Sequence, residues 1–140
     1  METEEGGRRM ADDGSGGVSP LLLVVDGANV VGSVPDGWWR DRRGAAERLR
    51  DRLAGYAGAG LPGHPGPLEI VLVVEGAARG VESVPGVRVE AATGSGDDLV
   101  VALAEGAAGR RVLVVTADRE LRRRVAERGA EVTGPRTVRG

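Results

Sequence analysis

The sequence predicts an α/β protein, a three-layer α/β/α sandwich around a central, mainly parallel sheet of the Rossmann-like type. Short runs of Leu, Val and Ile alternate along the chain with longer segments of helical periodicity. The runs are apolar at nearly every position, which is typical of strands buried on both faces of a parallel sheet. The length of 140 residues suits one domain with a substantial core.

The predicted strands are three clear apolar runs and two weaker ones, and Gly, Pro or Asp residues bound the runs. The clear runs have the Leu and Val enrichment of parallel strands, and they are separated by enough residues for crossover helices. The strands are expected at residues 21–25, 68–74, 87–89 and 111–115, with Val132 closing a short fifth strand.

Three helices are predicted between these strands. Segment 40–56 places Ala, Leu and Tyr residues at helical spacing among arginines and acids, so its other face should be solvated. The second helix should begin near Gly96 and run to Ala107. The third should run from Asp118 to a glycine stop at Gly129.

The domain is expected to span residues 18–134. Residues 1–17 contain almost no apolar side chains and predict a disordered leader. Residues 135–140 are interpreted as a tail. Segment 58–67 contains three prolines and several glycines, which predicts a surface loop between the first helix and the second strand.

Composition excludes several classes of protein. There is no cysteine, so disulfide frameworks, thiolate zinc sites and cysteine nucleophiles are excluded. The longest apolar runs are far too short to span a bilayer, and the N-terminus lacks the layout of a signal peptide. A cytoplasmic protein without a membrane partner is expected. The net charge of −2 argues against a DNA-coating protein.

Acidic residues stand where the predicted strands end or the helices begin. Asp26 follows the first strand, Glu75 the second, and Asp118 the fourth, while Asp97 and Asp98 open the second helix. The carboxyl ends of parallel strands meet at one edge of the sheet, where ligands bind. Clustered carboxylates repel one another unless a cation lies between them, and Mg²⁺ or Mn²⁺ prefers such oxygen ligands. These five acids are the predicted metal ligands.

Each acid also has a purely structural interpretation. Asp26 before a glycine is typical of a turn, and Glu75 before a glycine is typical of a solvated loop. Ser95 is a potential cap of the second helix, with Asp98 at the position that the helix dipole favours. Asp118 is a potential cap of the third helix.

Other polar residues are candidates for supporting roles. Ser95 and Thr116 are predicted to orient water or a ligand carboxylate, although hydroxyls near helix starts are commonly caps. Arg79 and Arg119 have the best positions among the arginines for binding phosphates of a substrate. Most other charged runs are interpreted as solvated faces.

Asn29 is the only asparagine in a chain whose Gly, Ala and Arg content resembles the product of a GC-rich genome. Its retention against that bias favours a functional role. Trp38 and Trp39 precede the first helix, where packing against the helix start and stacking on a nucleic-acid base are both open. His64 lies in the Gly/Pro loop and is not predicted to be a catalytic base.

Three motifs in order carry a resemblance to the PIN-like nuclease superfamily, within it the NYN domains, and especially the bacterial YacP-like proteins. They are Val-Asp-Gly-Ala-Asn-Val-Val at residues 25–31, Gly-Ser-Gly-Asp-Asp at 94–98 and Val-Thr-Ala-Asp-Arg at 115–119. The resemblance covers residues 20–134. It departs at two positions, where Ala28 replaces a common aromatic and Ala117 replaces a serine.

The resemblance implies a metal-dependent endoribonuclease with RNA as its partner, Mg²⁺ or Mn²⁺ as cofactor, and Asp26, Asp97 and Asp118 as ligands. It also implies that Asn29 supports the site. A nucleotide phosphohydrolase on the same metal site, a non-catalytic RNA-binding module and a toxin-like partner-binding protein remain alternatives, and a homo-oligomer is compatible with the sequence. Phosphate loops, dinucleotide fingerprints and phosphoaspartate motifs are absent from the sequence.

Overall fold

The computed structural model describes residues 19–107 and 109–139, so the predicted leader 1–17 lies outside the described residues. Its centre is a five-stranded parallel sheet in the order β5-β4-β1-β6-β7. The five strands are β1 (Leu21–Asp26), β4 (Leu68–Val74), β5 (Val87–Ala91), β6 (Val112–Val115) and β7 (Glu131–Thr133). The predicted α/β/α class and its parallel sheet are confirmed.

The register of the sheet brings strand ends to one edge. β1 pairs with β4 from Leu21 opposite Leu68 to Asp26 opposite Val73, and with β6 from Leu22 opposite Val112. All five strands therefore point the same way, and the loops that leave their carboxyl ends converge. Because β1 lies in the middle of the sheet, its end lies in the middle of that edge.

Within the described residues, five α-helices accompany the sheet. They are α1 (Gly27–Gly32), α2 (Arg42–Ala54), α3 (Tyr56–Ala59), α4 (Gly96–Gly106) and α5 (Arg119–Ala126). The segment predicted as a Gly/Pro loop contains the short hairpin of β2 (Gly60–Leu61) and β3 (His64–Pro65). None of the described helices is long and apolar enough to cross a membrane.

The core has two halves because side chains of a strand alternate between the faces of the sheet. In β1, Leu21, Leu23 and Val25 belong to the half covered by α1 and α2. Leu22 and Val24 belong to the half covered by α4 and α5. All five are buried, which explains why the strand is continuously apolar in sequence.

Helix α1 was not predicted and follows directly on Asp26. It has only six residues, and the carboxylate of Asp26 caps it by accepting from the Asn29 amide. A Cβ on Gly27 would lie 2.5 Å from the carbonyl oxygen of Val73, so only glycine allows α1 to approach β4 this closely. Tertiary contact and the cap thus stabilise a helix too short to show a periodicity.

The prediction that residues 135–140 form a tail is wrong for the described part of that segment. Pro135–Thr137 forms a 3₁₀ turn, and Val138 is completely buried in the core half on the α1 and α2 side. Arg139 donates to the carbonyl and hydroxyl of Ser33. A single buried valine between polar residues shows no periodicity, which is why the sequence did not reveal it.

Candidate active site

Four of the predicted acids meet at the carboxyl edge of the sheet. Asp26 is the last residue of β1, Glu75 follows β4, Asp97 lies in the first turn of α4, and Asp118 precedes α5. These four residues are called the acid rim below. Their charges influence one another: Asp97 and Glu75 raise the pKa of Asp26, and Asp118 and Glu75 raise that of Asp97.

Asp26 is the buried member of the acid rim, with 5% of its surface exposed. The hydroxyl of Thr116 donates to its Oδ2 at 2.8 Å, and the amide of Asn29 donates to its Oδ1 at 3.4 Å. Burial is the main cause of a raised pKa, which the two hydrogen bonds oppose. The carboxylate is therefore held in place but is not compensated by a positive charge.

Asp97 lies where α4 begins, and its amide donates to the Oγ of the capping residue Ser95 at 3.3 Å. Burial is the largest cause of its raised pKa, followed by the charges of Asp118 and Glu75. The proposed cap at Ser95 is thus present. Its hydroxyl orients the backbone that presents Asp97.

Glu75 is fixed to the same helix start. The amide of Gly96 donates to its Oε1 at 2.7 Å. A Cβ on Gly96 would lie 2.8 Å from that oxygen, so glycine leaves the space that the carboxylate occupies. This contact joins the end of β4 to the start of α4, although the two residues are 21 positions apart.

Thr116 connects two acids of the rim. It is completely buried, donates to Asp26, and accepts from the amide of Asp118 at 3.1 Å. The Oδ1 of Asp118 in turn accepts from the amide of Leu121 at 2.9 Å, so Asp118 caps α5. Asp118 therefore has the helix-capping role that its sequence position indicated, and it also belongs to the acid rim.

Asn29 links the first and last segments of this edge. Its Oδ1 accepts from the amide of Ala117 at 2.8 Å, which ties α1 to the loop after β6. The backbone amide of Asn29 donates to Asp26, while its side chain binds the loop after β6. One residue therefore contacts two segments of the site. Asn29 acts in this structure as a positioning residue.

Three other residues that the sequence predicted for the site take no part in the hydrogen bonds described for the rim. Asp98 forms an ion pair with Arg124 at 2.8 Å, and its side chain is 85% exposed. Arg79 closes the 3₁₀ turn after Glu75, and Arg119 is the first residue of α5; both are exposed. Ligation by Asp98 and phosphate binding by Arg79 and Arg119 stay predictions.

The sequence missed the role of Arg122. Its Nε donates to the carbonyl of Thr116 at 2.7 Å and so holds the backbone between β6 and α5. Arg122 stands among three consecutive arginines, of which Arg122 and Arg124 are both half-buried, so burial does not single it out. Its position four residues after Asp118 is the available signal, because a side chain there returns to the start of the helix.

The acid rim fits a hard divalent cation in the chemistry of its donors. Its oxygen ligands are carboxylates, and the repulsion among them is the kind that a cation relieves. Among the described residues, however, no three His, Asp or Glu side chains are arranged closely enough to surround one ion. Hydrogen bonds from Thr116, Gly96 and Leu121 hold three of the rim carboxylates in their present orientations.

Comparison with known proteins gives a structural likeness. No protein-family model and no curated protein sequence matches the chain. The crystal structure of Rae1 (YacP) from Bacillus subtilis superposes with a TM-score of 0.67 at 18% identity, over 83% of this chain and 70% of that chain. A tryptophan-to-leucine mutant of the same protein gives 0.61 at 21% identity over the same shares. The chain therefore has the fold of Rae1 (YacP).

Proposed function

We propose that the chain is a divalent-metal-dependent endoribonuclease that cleaves RNA phosphodiester bonds at the acid rim. The observation that carries the proposal is that these carboxylates lack a direct ion pair, although Arg124 acts on Asp97 from a distance. Within residues 19–107 and 109–139, none of the four forms an ion pair with an arginine. Neighbouring carboxylates without a direct ion pair cost stability, and a cation that binds there offsets this cost.

Asp26, Asp97 and Asp118 are the residues that would hold the ions, with Glu75 beside them. When bound, Mg²⁺ or Mn²⁺ supplies a positive charge that activates water and stabilises the charge developing on a phosphodiester. The resemblance of the three sequence motifs to NYN domains and the YacP fold support this assignment. They point to RNA as the substrate.

The chain's own polar groups orient the rim. Thr116 fixes one oxygen of Asp26 and the backbone of Asp118, and Asn29 fixes the loop that carries Asp118. Arg79, at the end of the 3₁₀ turn after Glu75, and Arg119, the first residue of α5, are exposed, so their guanidinium groups are available to bind the phosphates that flank the cleaved bond. Preorganised groups of this kind reduce the cost of positioning the substrate.

The test is cleavage of labelled RNAs by the purified protein with Mn²⁺ or Mg²⁺. We expect cleavage that EDTA and the substitution Asp26→Asn both abolish. Glu131→Gln is the matched control, because Glu131 is an acid at the opposite end of the sheet that pairs with Arg111 at 3.0 Å. Varied RNAs left intact in the presence of Mn²⁺ would overturn the proposal.

A parallel assay with nucleoside triphosphates separates the proposed activity from its nearest alternative. Both activities use the same carboxylates, so the variants alone do not distinguish them. We expect the protein to consume RNA and to leave the triphosphates unchanged. Hydrolysis of free nucleotides with RNA left intact would assign the site to a phosphohydrolase.

A further inference from the structure

A cavity of about 130 Å³ opens beside the acid rim, between α1, the start of α2 and the turn after β4. Gly27 and Ala28, the two residues after Asp26, form part of its wall, and Glu75 lies at its edge. The cavity therefore shares a border with the rim. Most of its wall is apolar, in contrast to the carboxylates next to it.

Trp38 and Arg42 also line this cavity, and they contribute an aromatic ring and a guanidinium group. The Arg42 guanidinium carbon lies 5.2 Å from the centre of the Trp38 ring, which is a cation–π contact. Trp39 is not part of the wall and is 53% exposed. The two rings meet edge to face, with their centroids 6.1 Å apart, but only Trp38 lines the cavity.

We propose that this cavity receives one unstacked nucleobase of the RNA that the rim cleaves, an assignment that rests on the proposed function. Aromatic rings and guanidinium planes are the surfaces on which bases of single-stranded RNA stack. A nucleotide whose base enters beside Gly27 and Ala28 has its phosphate next to Asp26. The cavity thus selects single-stranded RNA and sets the distance from one base to the cleaved bond.

The shape and charge of the cavity favour a base over the rest of a nucleotide. Its volume of about 130 Å³ is sufficient for one planar heterocycle. The carboxylate of Glu75 at its edge repels a phosphate that approaches from the rim. The base enters while the backbone stays outside, along the acid rim.

The test measures binding without cleavage, with Mn²⁺ and in the Asp26→Asn background, of two labelled probes of equal length. One probe is a short single-stranded oligoadenylate, and the other is the same ribose-phosphate chain without bases. We expect Trp38→Ala to weaken binding of the oligoadenylate roughly 5- to 100-fold, as loss of base stacking does. Binding of the abasic chain should stay unchanged, because its phosphates contact other residues.

Matched variants separate stacking from packing. Trp39→Ala removes the exposed ring and should keep the preference for the oligoadenylate, and Trp38→Phe should keep most of it. Ala28→Leu fills the cavity while Trp38 stays in place, so it should abolish the preference even if Trp38→Ala does not fold. Equal weakening of both probes by Trp38→Ala, or a preference unchanged by Ala28→Leu, would overturn the proposal.

The cleavage assay keeps the two proposals distinguishable. Base-dependent binding without any cleavage would leave the cavity assignment standing and remove the nuclease activity. Cleavage that proceeds with no base-dependent binding would remove the cavity assignment alone.

Discussion

The two ends of the parallel sheet differ in the partners of their acidic side chains. At the amino end, Glu69 pairs with Arg88 and Arg110, and Glu131 pairs with Arg111. At the carboxyl end, the four acids of the rim are held by amides, a hydroxyl and their position in helix starts. The acids named at the amino end have arginine partners, whereas at the carboxyl end Asp98, beside the rim, pairs with an arginine and, among the described residues, the four acids of the rim do not.

The pKa values follow the same division. The hydrogen bond from Arg111 is the main cause that lowers the pKa of Glu131. Burial is the largest cause that raises the pKa of Asp26 and of Asp97, and the charges of neighbouring carboxylates raise it further. Arginines are abundant in this chain, yet among the described residues none forms an ion pair with an acid of the rim, and Arg124 pairs with the neighbouring Asp98 instead. This difference supports the proposed cation site at the carboxyl end.

The first prediction has the largest expected effect, and it tests the difference between the two ends by neutralising one acid at each. Asp97→Asn should lower RNA cleavage more than about 100-fold, because changes in groups that only orient metal ligands already cost about 10- to 100-fold. Glu69→Gln should leave the rate unchanged, since Glu69 lies at the amino end. The measurement is the initial rate of cleavage of a labelled RNA with Mn²⁺.

Equal losses of rate for the two variants would contradict the division of the sheet into a structural end and a functional end. Thermal midpoints of both variants serve as the control for folding. Glu69→Gln leaves Arg88 its second partner Glu90, so we expect the fold to tolerate the change.

The second prediction concerns the hydroxyl that connects two acids of the rim. Thr116→Val keeps the shape of a fully buried side chain but removes the donor to Asp26 and the acceptor for the Asp118 amide. We expect a loss of about 1–3 kcal/mol in the free energy of unfolding, from polar groups left without partners. Cleavage should fall about 10- to 100-fold.

Chemical denaturation and cleavage rates measure these two effects separately. Thr116→Ser is the matched control, because it keeps the hydroxyl and loses only a methyl group. If Thr116→Ser impairs cleavage as strongly as Thr116→Val, the methyl group and its packing, and not the hydrogen bonds, determine the activity.

The third prediction tests the amino end. Arg110 is only 24% exposed and donates to Glu69 at 2.9 Å and to the carbonyl of Pro20. Arg110→Met should lower the free energy of unfolding by about 1 kcal/mol, since the apolar stem is kept and the hydrogen bonds are lost. Cleavage should not change. A loss of cleavage without a loss of stability would show that the two ends are coupled.

The parts of this structure that were predictable from sequence are those with a repeating pattern. The strand β4 and the helix α4 were located to within a residue or so, because buried strands and amphipathic helices leave long apolar signatures. Asp26, Asp97 and Asp118 were placed on one edge because parallel strands end together. This part of the site follows from topology alone.

The parts that were not predicted from the sequence depend on contacts between distant residues. Helix α1 depends on the approach of Gly27 to Val73, and the burial of Val138 depends on the finished core. The hydrogen bond from Arg122 to Thr116 depends on how α5 lies against β6. Asn29 was singled out by its rarity, yet its bond to Ala117 was visible only in the structure.

The smallest expected effect follows from the raised pKa of Asp26, whose ordinary value is 3.8. Below that value the carboxyl is protonated in both the folded and the unfolded protein. Between that value and the raised pKa, the unfolded state releases its proton while the folded state keeps it, so the folded protein loses stability as the pH rises. Asp26→Asn does not ionise, so at neutral pH and in EDTA its thermal midpoint should exceed that of the wild type by a few degrees.

The difference between the two midpoints should vanish near pH 3 and reach a plateau above the raised pKa of Asp26. Thermal unfolding monitored by circular dichroism between pH 3 and 7 measures it. Glu131→Gln should show the opposite trend, because Arg111 lowers the pKa of Glu131 and that carboxylate stabilises the fold above its ordinary pKa. A lower midpoint for Asp26→Asn at neutral pH would mean that the hydrogen bonds from Thr116 and Asn29 outweigh the burial of its charge. The carboxyl end would then contribute to stability as the amino end does, and the contrast between the two would rest on ion pairing alone.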